Sequence, residues 1–326
     1  MIDFAADSGV NFGYHRHGWN WVVVELMKRF HADSAPLMML SFAEQNLLFQ
    51  GFNSRYYDIL VPHKPWVGIF HLPPHVPAIQ SRTHQLRRLL TEPRLMEIMA
   101  TCVATIALST HLRNFMHEEI LPGSPAFSLL HPAPYEVPRF MPEQFLERLR
   151  SSGRLRLVQL GFWLRRHHLI HRLMAIRPAE IEAFQVGINT PRQKQALQLD
   201  AAINDVSLSP DVFLTSRLTD HQYDCLLCES VVLLPLYDTS ANNSLIECIT
   251  RCTPVLLERH PAGEEYLGVD YPLFYESFDE LCEWLAEASF VDRVLQGHRY
   301  LVQLCLSRHL EINRCLQGFQ SILSNL

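Results

Sequence analysis

The stretch that most constrains this chain runs from Val231 to Tyr271, VVLLPLYDTSANNSLIECITRCTPVLLERHPAGEEYLGVDY. It opens on Val231-Val232-Leu233-Leu234-Pro235-Leu236, an apolar run with the length and composition of a strand buried on both faces. A polar loop follows from Tyr237 to Ser244. Leu245-Ile246-Glu247-Cys248-Ile249 then predicts the start of an amphipathic helix, with Asn242, Asn243 or Ser244 as its N-cap. Thr253-Pro254 breaks that helix, and Val255-Leu256-Leu257 predicts the next strand. Strand, polar loop, helix start and strand make the α/β geometry that holds phosphate, because first-turn N–H groups lack helical partners and the helix dipole favours negative charge. Glu247 lies about one turn into the helix, within reach of a ribose or sugar hydroxyl beside such a phosphate. The same pattern also fits an ordinary βαβ unit whose Glu is solvated.

A chain of 326 residues is long enough for two α/β domains with substantial cores. With 48% hydrophobic and 19% charged residues it has the balance of a folded globular protein. The formal charge of −6 and the lack of a long Lys/Arg block argue against a nucleic-acid surface. No apolar run reaches the length of a membrane span, and the N-terminus lacks the charged-then-apolar order of a signal peptide. The expectation is a cytoplasmic protein, with peripheral membrane contact still open to it. Eight cysteines without a secretion signal are expected as free thiols. Cys225-Leu226-Leu227-Cys228 is a CxxC and Cys248/Cys252 lie one helical turn apart, but no second clean pair completes a zinc site, so these are expected as small core hydrophobes.

Taken in order, Ile2 to Ala5 predicts a short strand, followed by a Gly-bearing loop from Ser8 to Gly18 and a helix from Trp19 to Phe30. That is how a Rossmann-like domain begins, without the spacing of a dinucleotide fingerprint. His15, Arg16 and His17 in the loop are functional candidates or, equally, solvated loop surface. Pro36 to Phe42 is a second apolar run and Tyr57 to Val61 a third. Pro65 to His71 is a clearer strand, and its terminal His71 points to where open α/β sheets bind ligands. A near-neutral imidazole there suits proton transfer, and a His hydrogen-bonded in a Pro-rich turn fits as well. Ala104 to Leu108 and Phe127 to Leu130 predict further strands, with Ser109-Thr110 capping a helix from His111 to Ile120. Pro132, Pro134, Pro138 and Pro142 mark the best linker. Beyond it, Leu155 to Gly161 is a strand entering a turn that leads to Arg165-Arg166-His167-His168. Glu182 to Ile188 and Asp211 to Leu214 alternate like strands, and Thr219 to Cys228 predicts a helix capped by Thr219-Asp220. Phe278 to Glu287 predicts an acidic amphipathic helix, and Val291 to Leu323 a long helical tail interrupted at Gly297 and Gly318.

The central stretch resembles the donor-binding segment of GT-B-fold glycosyltransferases. There a loop ends in a helix bearing a Glu, followed by a small-residue-Thr-Pro-Val strand and a loop ending in Glu. Leu245-Ile246-Glu247, then Cys252-Thr253-Pro254-Val255, then Glu264-Glu265-Tyr266-Leu267-Gly268 carry the likeness here. The best-known retaining pattern has a second Glu eight positions before the helix Glu; that position is Thr239, next to Asp238, and Cys252 replaces a small Gly. The family's Gly-Arg turn is here Gly161-Phe162 and its downstream Lys is absent, so the resemblance leaves Arg165 or Arg166 to substitute, or a basic helix end on the surface.

The resemblance implies an α/β fold of two Rossmann-like domains facing across a cleft. Residues 1–140 would form the acceptor domain and 141–300 the nucleotide-sugar donor domain, with 301–326 a C-terminal helix returning to the first. It implies glycosyl transfer of hexosyl type from a nucleotide-sugar to a carbohydrate or other acceptor, with no cofactor and no metal. Glu247, Asp238, the Asn242-Asn243-Ser244 helix start and Arg165 or Arg166 would hold the donor, and His71, His15 or His17 would sit near the reacting hydroxyl. No Asp-x-Asp occurs to hold a divalent cation on the diphosphate. A sugar-nucleotide epimerase or hydrolase, or a non-catalytic sugar-nucleotide-binding subunit, are the rival expectations.

Overall fold

The computed structural model describes residues 1–4, 18–48, 62–82, 84–177, 179–215 and 218–326. They divide into two compact units, Met1–Pro134 with Asp238–Asn243 and Leu310–Leu326, and Tyr135–Tyr237 with Ser244–His309. The chain therefore leaves the second unit after Tyr237, lends six loop residues to the first, and resumes the second at Ser244.

In the first unit, four parallel strands lie in chain order: β1 (Met38–Leu40), β2 (Trp66–Phe70), β3 (Cys102–Ala107) and β4 (Ala126–Ser128). Ile2 and Asp3 add parallel bridges to His31 and Met38 at the β1 side. Every residue of β2 is buried, as its unbroken apolar run requires. The helix Trp19–Phe30 turns Val22, Val23 and Leu26 into a core shared with Val67, Ile69, Ala104 and Ile106. The last helix, Ile312–Ser324, buries Cys315, Leu316, Phe319 and Ile322 in the same core. Ser109 caps the helix Thr110–Phe115 by accepting from the Leu112 N–H.

The second unit holds six parallel strands: β5 (Leu155–Leu160), β6 (Ile181–Val186), β7 (Val212–Thr215), β8 (Val231–Leu234), β9 (Val255–Glu258) and β10 (Phe274–Tyr275). Their order is β10-β9-β8-β5-β6-β7. β5 starts at the centre, β6 and β7 build outward on one side, and β8 to β10 on the other. The direction in which successive strands are added thus reverses between β5 and β8, the switch point outside which such sheets bind ligands. The helices Pro191–Ile203 and Asp220–Cys228 are each fixed by a capping box, Thr190 with Gln193 and Thr219 with Gln222.

The helix Asn243–Arg251 buries Leu245 through Arg251. It ends in a Schellman turn: the Cys252 N–H donates to Ile249 O (3.0 Å) and the Thr253 N–H to Cys248 O (2.9 Å). Cys252 sits there with φ +56°, the left-handed region that favours glycine. A non-glycine residue in it costs about 1–2 kcal/mol.

Several elements depart from the sequence expectations. Pro142 does not close a linker but opens the helix Pro142–Ser152 at its first turn, where a missing N–H costs nothing. The tail is two helices, Phe290–Leu306 and Ile312–Ser324, separated at residues 307–311 rather than at its glycines. Gly297 lies inside the first of them because Leu273 packs so close that an added Cβ would meet its Cδ1 at 2.5 Å. Among the described residues, no helix is long and apolar enough to cross a membrane.

Candidate functional site

At the switch point of the second unit, β5 ends in Gly161, whose φ of +79° turns the chain sharply. The next residues fold back along the segment after β8. The Arg166 N–H donates to Pro235 O (2.9 Å) and the Tyr237 N–H to Leu164 O (3.1 Å). This antiparallel patch directs the Arg165 side chain inward, where it is buried. Its Nε donates to Leu160 O (2.8 Å), Nη1 to Trp163 O (2.8 Å) and Nη2 to Ser244 Oγ (3.2 Å). A Cβ on residue 161 would lie 3.2 Å from Nη2, so the turn and the guanidinium require each other. Burial pulls the Arg165 pKa down to about 10, which leaves it charged near neutral pH. Arg165 thus clamps the β5 turn to the start of the helix Asn243–Arg251.

Arg166 is turned elsewhere. It pairs with Glu258 at the end of β9 and lies 5.7 Å over the Tyr237 ring. Tyr237 in turn donates to Asp200 Oδ1 (2.5 Å), while Asp200 Oδ2 accepts from the His168 backbone N–H (2.8 Å) and faces His168 Nδ1 (2.9 Å). Burial alone would raise the Asp200 pKa, but the His168 and Tyr237 hydrogen bonds outweigh it and hold the carboxyl below its ordinary value. His167 is buried and stacked on Phe162 at 5.0 Å, and burial pulls its pKa to about 4.

Ser244 and Glu247, three apart, share one face of their helix. Glu247 is buried, and the Tyr223 hydroxyl donates to its Oε2 at 2.6 Å. Burial and then the Glu247 charge raise the Tyr223 pKa well above its ordinary value, so the phenol keeps its proton and the donation stands. Tyr223 thus orients the Glu247 carboxylate. Tyr223 lies in the helix predicted from Thr219 to Cys228 and is not among the site residues expected from sequence; a partly buried phenol takes a polar partner.

Asp238, Asn242 and Asn243 belong to the first unit. Asp238 Oδ2 accepts from the His75 N–H (2.8 Å), and its Oδ1 accepts from the Thr239 N–H (2.7 Å) and lies 3.2 Å from His111 Nε2. Ser240 Oγ lies 3.1 Å from Ser109 Oγ. This segment is thereby bonded to the loops that follow β2 and β3. The helix that carries Ser244 and Glu247 begins at Asn243.

His71 follows β2, with Nε2 3.1 Å from Ser41 O and its ring against Phe42 (4.2 Å) and Trp19 (4.8 Å). A carbonyl only accepts, so Nε2 carries the proton and Nδ1 is the acceptor nitrogen. Burial pulls the His71 pKa to about 3. The near-neutral imidazole expected from sequence is therefore corrected: the ring favours its neutral form and is a poor proton acceptor, because burial takes water from the charged form. Beneath it lies Glu44, fully buried, whose Oε1 accepts from the His71 N–H (2.5 Å) and the Leu72 N–H (2.7 Å). Among the described residues its Oε2 has no hydrogen-bond partner, and burial raises its pKa to about 7. His15, Arg16, His17 and the Tyr57 to Val61 run lie outside the described residues.

Asp3, His31 and Asp33 lie close enough together to suggest a metal, but their hydrogen bonds oppose one. His31 Nδ1 accepts from the Phe4 N–H (3.1 Å), so a neutral ring keeps its proton on Nε2, toward Asp33 (3.0 Å). Lys64 Nζ occupies Asp3 at 2.5 Å.

No protein-family model matches the chain, and no curated protein does. Solved structures do. The chain is similar to sucrose-phosphate synthase from Thermosynechococcus elongatus, with a TM-score of 0.61 and 12% identity over 94% of this chain and 77% of that one. It is similar to the trehalose-6-phosphate synthase OtsA, with a TM-score of 0.58 and 12% identity over 96% and 78%. It is similar to Anabaena HepE in complex with UDP-glucose, with a TM-score of 0.56 and 15% identity over 81% and 73%. Identities this low speak for architecture, and the chain has the GT-B fold of these glycosyltransferases.

Proposed function

We propose that the protein binds a nucleotide-sugar on its second unit and transfers the sugar to a carbohydrate or other acceptor held by the first. The observation that carries this reading is the switch-point arrangement: the Gly161 turn clamped by Arg165 onto Ser244, one helical turn from a Glu247 oriented by Tyr223. Glu247 would take a ribose or sugar hydroxyl, and the helix start at Ser244 a phosphate. His71, neutral and fixed through Ser41, would orient the acceptor rather than deprotonate it. Transfer would proceed without a metal, so EDTA is expected to leave turnover unchanged.

UDP-glucose is the first probe, since HepE is solved with it. Calorimetry is expected to show binding that Glu247→Ala weakens by about 1.5–3 kcal/mol and Tyr223→Phe by about 0.5–1.5 kcal/mol. Unchanged affinity in a folded Glu247→Ala protein would remove Glu247 from the site. UDP release that requires an added acceptor identifies a transferase. Consumption of UDP-glucose alone, giving an epimer or free glucose, identifies the epimerase or hydrolase.

A second reading, nucleotide-sugar binding without turnover, is favoured by one feature. Arg166 is paired with Glu258, and Arg165 donates to Leu160, Trp163 and Ser244. Departure of a diphosphate needs donors aimed at the charge that develops. UDP-glucose binding with no UDP release across an acceptor panel would establish this reading instead.

A further inference from the structure

Cys252 fills a left-handed position where glycine is the usual choice, and its side chain is fully buried. Its Sγ lies 3.5 Å from the Sγ of Cys305, a residue 53 positions away on the helix Phe290–Leu306. The Cys305 thiol also donates to Ile249 O at 2.8 Å, a carbonyl of the same Schellman turn. From the same helix, His298 Nδ1 donates to Cys252 O at 2.9 Å. Arg139, itself exposed, reaches Cys252 Sγ with its Nη1 at 3.6 Å, so the pair lies directly beneath the surface. All of these residues belong to the second unit.

We propose that Cys252 and Cys305 are a reversible disulfide site, closed by a peroxide. The two sulfurs are already in contact, and closure needs them to approach from 3.5 Å to about 2.05 Å by side-chain rotation. Their surroundings divide the labour. The contact with the Cys305 sulfur, and then the Arg139 guanidinium, hold the Cys252 thiol below its ordinary pKa, whereas Cys305 is raised by Cys252 and by burial. Cys252 is the attacking sulfur and Cys305 the resolving one. The Cys252 thiolate attacks a peroxide oxygen, the O–O bond breaks, and hydroxide leaves to give a sulfenic acid. The Cys305 sulfur attacks that sulfenic sulfur, the S–O bond breaks, and the oxygen leaves as water with the thiol proton. Two thiols and one hydrogen peroxide thus give one disulfide and two waters. Among the other cysteines, Cys102, Cys228, Cys248 and Cys315 are buried with raised pKa values, the state of inert core thiols. The disulfide would tie the end of the helix bearing Ser244 and Glu247 to the helix Phe290–Leu306.

The test does not depend on any substrate. Full-length protein is treated with hydrogen peroxide, alkylated after denaturation and digested with trypsin. The expected product joins peptide 252–259 to peptide 300–308 and is reversed by dithiothreitol. Cys305→Ala should abolish it and leave Cys252 as a sulfenic acid that dimedone traps, and Arg139→Ala should slow closure several-fold. Recovery of both wild-type peptides fully alkylated, at peroxide doses that oxidise the exposed Cys225, would overturn the proposal. A disulfide from either residue to a different cysteine would overturn it as well.

Discussion

Arg165→Ala is expected to destabilise the second unit by about 2–4 kcal/mol, whether or not a nucleotide-sugar is present. The guanidinium is the hydrogen-bond partner of Leu160 O, Trp163 O and Ser244 Oγ. Truncation leaves the buried Leu160 carbonyl and the part-buried Trp163 carbonyl without it, at up to about 1–3 kcal/mol for a buried group left unsatisfied. Part of that cost would be relieved by water entering behind the missing side chain. Arg165→Lys should recover little, because an ammonium cannot span three acceptors held in a planar fork. Arg166→Ala should cost less than about 1 kcal/mol, since its pair with Glu258 is only partly buried. Hydrogen exchange of the amides from Gly161 to His168 gives the local readout. Strong deprotection in Arg165→Ala alone is the expected result. A protected loop together with weakened, salt-insensitive UDP-glucose binding would make Arg165 a phosphate ligand instead of a clamp.

That contrast marks where the sequence stopped being informative. The strand Val231–Leu234, the Gly161 turn and the helix bearing Glu247 were legible because each rests on local rules. Val231–Leu234 has no polar residue to place at a surface, and Thr219-Asp220 marks a helix start, which the structure closes with Thr219 and Gln222. The direction of an arginine is not local. Arg165 and Arg166 are adjacent and chemically identical, and only the pairing of residues 164–166 with 235–237 sends one inward and the other to Glu258. The same limit hid the allegiance of Asp238, which follows a strand of the second unit yet is bonded to His75 in the first. It also hid the Schellman turn, since Cys252 stands where a glycine would have announced it. For His71, position at a strand end was readable, but its pKa is lowered by burial, and the Trp19 and Phe42 rings against it come from distant parts of the chain.

Glu44 is the clearest case of a residue that looks ordinary in sequence and is not. It sits in the first turn of a short helix, Ala43–Leu47, where an acidic residue would be read as a dipole partner. Instead it is fully buried, with one oxygen on two backbone N–H groups and the other without a partner among the described residues. Burial raises its pKa from 4.5 to about 7, against the opposing pull of those N–H groups. The folded protein therefore holds this proton more tightly than the unfolded chain does. Its contribution is fully present below the unfolded pKa of 4.5 and is lost as pH rises through about 7. Over that interval the loss amounts to about 3 kcal/mol, at 1.36 kcal/mol per pKa unit. Glu44→Gln keeps the acceptor oxygen for His71 and Leu72 but cannot ionise, so it removes the pH dependence while adding a fixed cost for its unpartnered amide N–H groups. The wild-type protein should therefore be the more stable of the two near pH 4, with the order narrowing or reversing by about pH 8. Thermal unfolding of both proteins across that range measures the difference directly. Parallel stability curves would show that Glu44 stays ionised in the fold, and that some partner for its second oxygen offsets the burial.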